Sequence, residues 1–342
     1  MIKFYKYLGL IILIIFCFAF YSVEQTPIYF EIPKGWDKPT YDFKKYPLTE
    51  EKFELGRDLF YEPMLSSNGM ISCASCHFQG NVFSHKDHSV SHGVGDILGE
   101  RNSISLQNLA WSKSFMWDGK IANLIDQPKF AITNPIEMNE SMENVVLKLS
   151  KEKEYVENFH KAFPKEGISS NTVSISLSQF LVMIRSTGSK YDSVKIGTQK
   201  FTKEEAKGYT IFKNKCASCH KEPLFTNNEF KSNGLKLDNI IKDYGRMKVT
   251  NLKKDSLKFK VPSLRNIIYS MDYMHDGRFK TLKEALLHYN SLSKVDYVSN
   301  ELKTPLNLSE DDLNNLEAFL TTLTDATYLR NEKLSFKRKK IN

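Results

Sequence analysis

Hydrophobic and polar positions along the chain fall into two patterns, one continuous run and several periodic stretches. Tyr7 to Val23 carry no charge, are densest in apolar residues from Leu8 to Phe20, and follow Lys3 and Lys6. As an α-helix that densest part spans roughly 20 Å, short of the ~30 Å hydrocarbon core of a bilayer. A removable export signal over residues 1–23 suits that length best, with an N-terminal membrane anchor as the alternative. Lipid attachment at Cys17 fits less well, because bulky Phe16 precedes it where a small residue is wanted. All three readings export the remainder, so a periplasmic location is expected.

The periodic stretches predict helices. Thr49 opens a segment with Phe53, Gly56, Leu59 and Phe60 on one face. Thr202 and Glu205 form a capping box ahead of Ala206, Tyr209 and Phe212. A closing amphipathic helix is expected from Asp311 to Leu323, with Leu313, Leu316, Phe319 and Leu320 along one side. Strand-like alternation is scarce, so the fold class is mainly α with few short strands.

Composition changes this picture little. The 342 residues imply about two domains, and 41% apolar with 26% charged residues is ordinary for a globular protein. The net charge of +8 is spread along the chain and ends in Lys337-Arg338-Lys339-Lys340, read as a solvated basic tail over 327–342. No basic stripe with interleaved aromatics precedes it, so no nucleic-acid partner is expected.

Cysteine usage is decisive. Beyond Cys17, the chain has Cys73, Cys76, Cys216 and Cys219, all in two copies of Cys-Ala-Ser-Cys-His that end in His77 and His220. A zinc site would need further ligands at each motif, and no further cysteines supply them. Two thiols that add across the vinyl groups of one haem, with the next imidazole reaching its iron, use every residue of the motif. Two covalently bound c-type haems are therefore expected.

The motifs belong to a longer repeat. Ser105-Leu106-Gln107-Asn108 matches Ser263-Leu264-Arg265-Asn266, and Phe115-Met116-Trp117-Asp118-Gly119-Lys120 matches Tyr273-Met274-His275-Asp276-Gly277-Arg278. The chain reads as two tandem cytochrome c-like haem domains, 47–195 and 200–326. The halves have diverged: Trp117 faces His275, Gln127 corresponds to Ala285, and Glu137 corresponds to Val295. A carboxylate and an amide in one half only point to one haem for chemistry and one for electron supply.

The combination LGRDLF, SSNGMISCASCH, GERNSISLQN, FMWDGK, NPIEM, the second CASCH, PLF, VPSLRN and YMHDGR, over residues 48–325, resembles the bacterial di-haem cytochrome c peroxidases and their MauG-type relatives. The resemblance implies a peroxidatic haem in the N-terminal half and an electron-storing haem in the C-terminal half. It implies His77 and His220 as proximal iron ligands, Trp117 between the haems, and Gln127 and Glu137 in the peroxide pocket. It further implies one calcium ion at Asn102, Ser270 and Asp272, where the family has Thr and Pro at the last two positions.

Two departures from the family pattern leave ligands open. The classical methionine ligand of the second haem falls on Tyr289, as in the MauG branch. Met274 and His288 are alternatives, and so are an open position and a Tyr289 that only packs. The removable distal histidine of the first haem corresponds to His92, in a loop about two residues longer that also holds His85 and His88, and simple solvation of that loop is the competing reading. The resemblance implies hydrogen peroxide as substrate and a small cytochrome c or cupredoxin as donor, and homodimers are common in the family. A MauG-like oxidase of a partner protein and a non-catalytic di-haem electron carrier are the alternatives. His160 has no assigned role.

Overall fold

The structure is a computed structural model that describes residues 24–85, 88–292 and 297–337. The expected export segment 1–23 with Cys17, the tail residues 338–342 and Val295 lie outside the described residues. Among the described residues no helix is long and apolar enough to cross a membrane.

The first half contains α1 (Glu50–Phe60), α2 (Cys73–Cys76), α3 (Asp126–Thr133), α4 (Met142–Lys151), α5 (Lys153–Ala162) and α6 (Ser170–Met183). α7 (Lys190–Lys195) closes the first half, with Tyr191 packed into the core of the second, which contains α8 (Lys203–Lys215), α9 (Met247–Thr250), α10 (Leu282–Asn290) and α11 (Glu310–Thr321) and ends at α12 (Ala326–Leu329). The one sheet among the described residues pairs β1 (Phe230–Lys231) antiparallel with β2 (Phe259–Lys260), Phe230 opposite Lys260. The protein is thus mainly α with few short strands, as the scarcity of alternating positions predicts.

The three helix starts anticipated from periodicity are capped as their residues dictate. Thr49 accepts from the Lys52 amide at 3.4 Å before α1. Thr202 and Glu205 exchange side-chain-to-backbone bonds of 3.3 and 2.8 Å before α8, and Ser309 with Asp312 does the same before α11. Such caps satisfy orphan amides of the first turn and contribute about 1 kcal/mol each.

Both halves rest on one helix crossing, used twice. α1 crosses α6 at Gly56, where a Cβ would lie 1.9 Å from the Ser176 carbonyl oxygen. α8 crosses α11 at Gly208, where a Cβ would lie 1.9 Å from the Asn315 oxygen. In each case a phenylalanine one turn further on, Phe180 or Phe319, packs beside the glycine and is wholly buried. Glycine lets the backbones touch, and the flanking aromatics then bury large area, roughly 1.5–3 kcal/mol per large apolar side chain. Two apolar cores result, one around Phe53, Leu59, Phe60 and Phe180, the other around Tyr191, Phe212, Phe225 and Phe319.

The repeat extends to backbone detail. Asn108 and Asn266 both adopt left-handed φ, 56° and 58°, which asparagine tolerates. Asn266 donates to Gln107 Oε1 at 2.6 Å and Ser186 Oγ at 2.9 Å, tying the second half to the first. The two Asp-Gly turns close with the same bridges, Phe115 to Ile121 and Tyr273 to Phe279.

Two terminal segments pack against the first core. Residues 24–46 cover it, with Phe30 tilted against Trp111 and Trp36 edge-on to it at ring distances of 5.4 and 5.0 Å. The basic tail that begins at residue 327 folds back on the first half up to residue 337, because Tyr328 and Leu334 supply apolar anchors among its polar residues. The Tyr61 hydroxyl donates to the Leu334 carbonyl at 2.9 Å and Gln79 Nε2 to the Asn331 carbonyl at 2.9 Å.

Candidate functional site

Each CASCH motif presents its histidine in one tautomer. His77 Nδ1 lies 2.7 Å from the Phe83 carbonyl oxygen, and His220 Nδ1 lies 3.1 Å from both the Phe225 and Pro262 carbonyls. A carbonyl only accepts, so Nδ1 carries the proton and Nε2 keeps its lone pair for a metal. Burial holds His77 neutral by pushing its pKa down to about 4. Phe83 and Phe225 are buried and left-handed, with φ of 53° and 55°. That conformation is costly for a bulky residue, and it turns each carbonyl back toward its histidine.

The thiols suit covalent tethering better than ionic ligation. Burial pushes Cys73 and Cys216 up to about 12 and Cys76 to about 11, so all remain protonated thiols near neutrality. Among the described residues no group of three or more His, Cys, Asp or Glu is arranged to hold a metal ion. One imidazole and two unionised thiols per motif fit a metal whose remaining ligands come from a porphyrin.

A cavity of about 760 Å³ opens beside the first motif, within the roughly 300–1,000 Å³ usual for cofactor sites. Cys73, Cys76, His77, His92, Trp117, Gln127 and Glu137 all line it, and so do Asn102, Ser270 and Asp272. Ten residues picked out along two hundred positions of sequence therefore converge on one space. Glu137 is the electrostatic outlier. Loss of hydration raises its carboxyl to about 7, against the opposing hydrogen bond from Asn134 Nδ2 at 2.7 Å. Its charge acts on Cys73 and Cys76, which puts the carboxyl close to the tethering thiols.

One wall of the cavity, with the His92 carbonyl oxygen 3.7 Å from Cys76 Sγ, is stitched from two loops. The Val94 amide donates to the Glu137 carbonyl at 2.8 Å, and a Cβ at Gly93 would fall 2.2 Å from the Ile136 oxygen. Only glycine permits this approach, which holds His92 and Glu137 on one wall. His92 Nε2 is buried and has no hydrogen-bond partner. Its ring lies 4.4 Å from that of His88 and 6.3 Å from that of His85. A buried, unpaired imidazole nitrogen on a cavity wall is a fit for a metal on its far side, and it is unlike a solvated loop histidine.

Trp117 donates from Nε1 to the Asn102 carbonyl at 2.8 Å, and the Asn102 amide donates to the His275 carbonyl at 2.7 Å. The Asn102 side-chain amide donates to the Ser89 and Asp272 carbonyls at 3.1 and 3.3 Å. A calcium ion between Asn102 and Asp272 would need that amide to present Oδ1 instead. Ser270 lines the same cavity, and the Asp272 carboxylate is paired with Lys280 at 2.7 Å.

At the second motif the candidate side chains have different surroundings. Tyr289 lies near Cys216 and Cys219, and burial raises its hydroxyl to about 12 against an opposing hydrogen bond with the Asn233 side chain. His288 Nε2 is engaged with the Asn233 carbonyl at 2.9 Å. Met274 lines the first cavity, and its sulfur accepts from Asn233 Nδ2 at 3.2 Å.

Several residues escaped the sequence reading. Phe83 and Phe225 carried a faint signal, since they stand six and five residues after their histidines. Arg101 bridges Asp118 at 2.7 Å and Asp243 at 2.6 Å, and Lys260 is a buried lysine on the cavity wall. Asp243 and Lys260 lie far along the chain from their partners, with no local motif to mark them.

Residues 50–200 match the model of the di-haem cytochrome c peroxidase family, and residues 205–324 match that of cytochrome c. Methylamine utilization protein MauG of Methylorubrum extorquens is 36% identical, with 82% of this chain and 80% of that protein aligned. Cytochrome c551 peroxidase of Nitrosomonas europaea is 30% identical over 81% of each. Cytochrome c peroxidase Ccp of Escherichia coli is 33% identical over 82% of this chain, which spans 59% of that longer protein. A solved MauG-like protein associated with microbial copper homeostasis superimposes with a TM-score of 0.82 at 29% identity, covering 90% of this chain and 99% of its own.

Proposed function

The chain belongs to the di-haem cytochrome c peroxidase and MauG family, with two c-type haems, and from that premise we propose that it reduces hydrogen peroxide to water. Electrons come from a small periplasmic cytochrome c or cupredoxin. The half over 47–195 is the peroxidatic one and the half over 200–326 stores the electron. The observation that carries this reading is Glu137, a desolvated carboxyl with a pKa near 7 on the same cavity as Cys73, Cys76 and His77.

Cys73 and Cys76 would hold the first haem and Cys216 and Cys219 the second, with His77 and His220 as ligands for their irons. When bound, haem iron supplies the electrons and the oxidising capacity that peroxide cleavage requires. The protein's part is proton management. Net reduction takes one H2O2, two protons and two electrons to two waters. The Glu137 carboxylate accepts a proton from one peroxide oxygen and returns it to the other, which leaves as water. A group that titrates near 7 can both take and give that proton at neutral pH. Gln127, in the first turn of α3 on the same cavity, is placed to orient the peroxide by its amide. Trp117 passes electrons between the halves.

His92, whose buried Nε2 has no hydrogen-bond partner, would be a second protein ligand for the group held by Cys73 and Cys76. Calcium at Asn102, Ser270 and Asp272 would fasten this loop to the second half.

A MauG-like oxidation of a partner protein is the second reading, favoured by Tyr289 beside the second pair of thiols. An anionic oxygen ligand stabilises ferric iron and lowers its potential. Steady-state peroxide consumption with a reduced small cytochrome c separates the readings. Continuous turnover supports the peroxidase. Stoichiometric formation of a long-lived oxidised state with no turnover supports the second reading, and absence of both leaves an electron carrier.

A further inference from the structure

Lys260 is a cation with no described counter-charge. It belongs to β2 in the second half, is buried, and lines the cavity beside the first motif. Its Nζ donates to the Ser114 carbonyl at 2.7 Å, one acceptor for a group with three donors. Its electrostatic neighbour Asp118 is already committed, with Oδ2 to Arg101 at 2.7 Å and Oδ1 to the Lys120 amide at 3.0 Å. Of the other cations on this cavity, Arg101 is paired with Asp118 and Asp243, Lys248 with Glu100 and Arg265 with Asp192, while Lys120 is exposed and lies over the Phe130 ring. Burying an ammonium without an anion is strongly unfavourable, so a buried lysine aimed at a cofactor-sized space calls for an anion there.

We propose that Lys260 forms an ion pair with a carboxylate of the porphyrin tethered by Cys73 and Cys76. The inference rests on haem attachment at the first motif and adds the residue that anchors the polar edge of that haem. Two propionate carboxylates ring the porphyrin, and each needs a donor when the macrocycle is buried. Burial pulls the ammonium down to about 8 in spite of the opposing charge of Asp118, and an incoming carboxylate reverses that shift. The Lys260 amide also donates to the Trp117 carbonyl at 2.7 Å. Lys260 therefore grips both ends of the 114–117 turn, and the ion pair joins the haem of one half to a strand of the other through the turn that holds Trp117.

The test uses the full holoprotein with Lys260→Met and Lys260→Arg. Haem content is counted by pyridine haemochrome, and each haem's potential is followed by spectroelectrochemistry. The propionate bending mode is read by resonance Raman. Lys260→Met should keep two haems, lower the potential of the first haem only, and shift its propionate mode. Lys260→Arg should restore both. If Lys260→Met sheds haem, Lys260→Gln, which keeps a donor at similar reach, is read the same way. Unchanged potential and propionate mode in a two-haem variant overturns the proposal, as does a shift confined to the second haem. Wild-type protein with no haem at the first motif would instead overturn the attachment reading beneath it.

Discussion

Replacing Glu137 by glutamine tests the chemistry with the least structural disturbance. Glutamine has the same shape and keeps an oxygen to accept from Asn134 Nδ2, so the loop wall shared with Val94 and Gly93 should stand. What disappears is a proton carrier with a pKa near 7. General acid–base catalysis of this kind contributes roughly 10²–10⁴-fold, which corresponds to about 3–5 kcal/mol in the barrier. The sign of the pH effect follows from the carboxylate being the active form. With a midpoint near 7, about a tenth of molecules carry the carboxylate at pH 6 and about nine tenths at pH 8. The rate of peroxide consumption with a reduced cytochrome c should therefore climb close to tenfold across that interval in wild-type protein. Glu137→Gln should be at least ~100-fold slower at pH 8 and lose this rise, with both haems retained. A variant within twofold of wild type at pH 8, or a wild-type profile flat from pH 6 to 8, refutes the assignment.

The other predictions address the architecture and the open ligand positions. Gly56→Ala and Gly208→Ala each force a methyl to within 1.9 Å of a carbonyl oxygen, so each should cost about 1–3 kcal/mol in a denaturant melt despite alanine's better helix propensity; melts equal to wild type would show that the crossings are not close-packed. Tyr289→Phe should alter the spectrum of the second haem alone, and an unaltered spectrum excludes the phenol as its ligand. His92→Gly should leave the first haem high-spin in fully oxidised protein and remove any need for prior reduction; a wild type already high-spin at that haem contradicts the role. Asp243 is held down to about 2 by Arg101 from an ordinary 3.8, so its contribution is complete above pH 4 and fades as pH falls through 2. Asp243→Asn should accordingly cost about 3 kcal/mol at pH 7, the low end for breaking a buried pair because Arg101 keeps Asp118, and the gap from wild type should narrow below pH 4.

Local chemistry explains what could be read from sequence. The CASCH motifs, the capping residues Thr49 and Thr202, and the paired Ser-Leu-x-Asn and Met-x-Asp-Gly segments each signal through neighbours a few positions away. Comparing the halves drew attention to Glu137 and Trp117, because divergence within a repeat needs no alignment to be seen. The resemblance to a known family gave Gln127 its role and added His92, Tyr289 and the three calcium positions, and all but Tyr289 line the first cavity. Long-range partners were beyond reach. Lys260 meets the 114–117 turn and Arg101 meets Asp243 only once the two halves are docked. The same holds for the chain ends, since Trp36 and Leu334 show no periodicity that would announce packing against the first core. Gly93 and Gly208 read as ordinary glycines until another backbone is seen to pass within contact of them.

The proposed function requires two unlike iron sites, with peroxide handled only at the one beside Glu137. Low-temperature EPR of oxidised and one-electron-reduced protein, recorded before and after peroxide in wild type, Glu137→Gln and Tyr289→Phe, examines this directly. Two inequivalent haem signals are expected, of which a single one responds to peroxide, with that response weakened by Glu137→Gln and kept by Tyr289→Phe. Two equivalent signals, or a peroxide response that disappears with Tyr289 and survives the loss of Glu137, would contradict it.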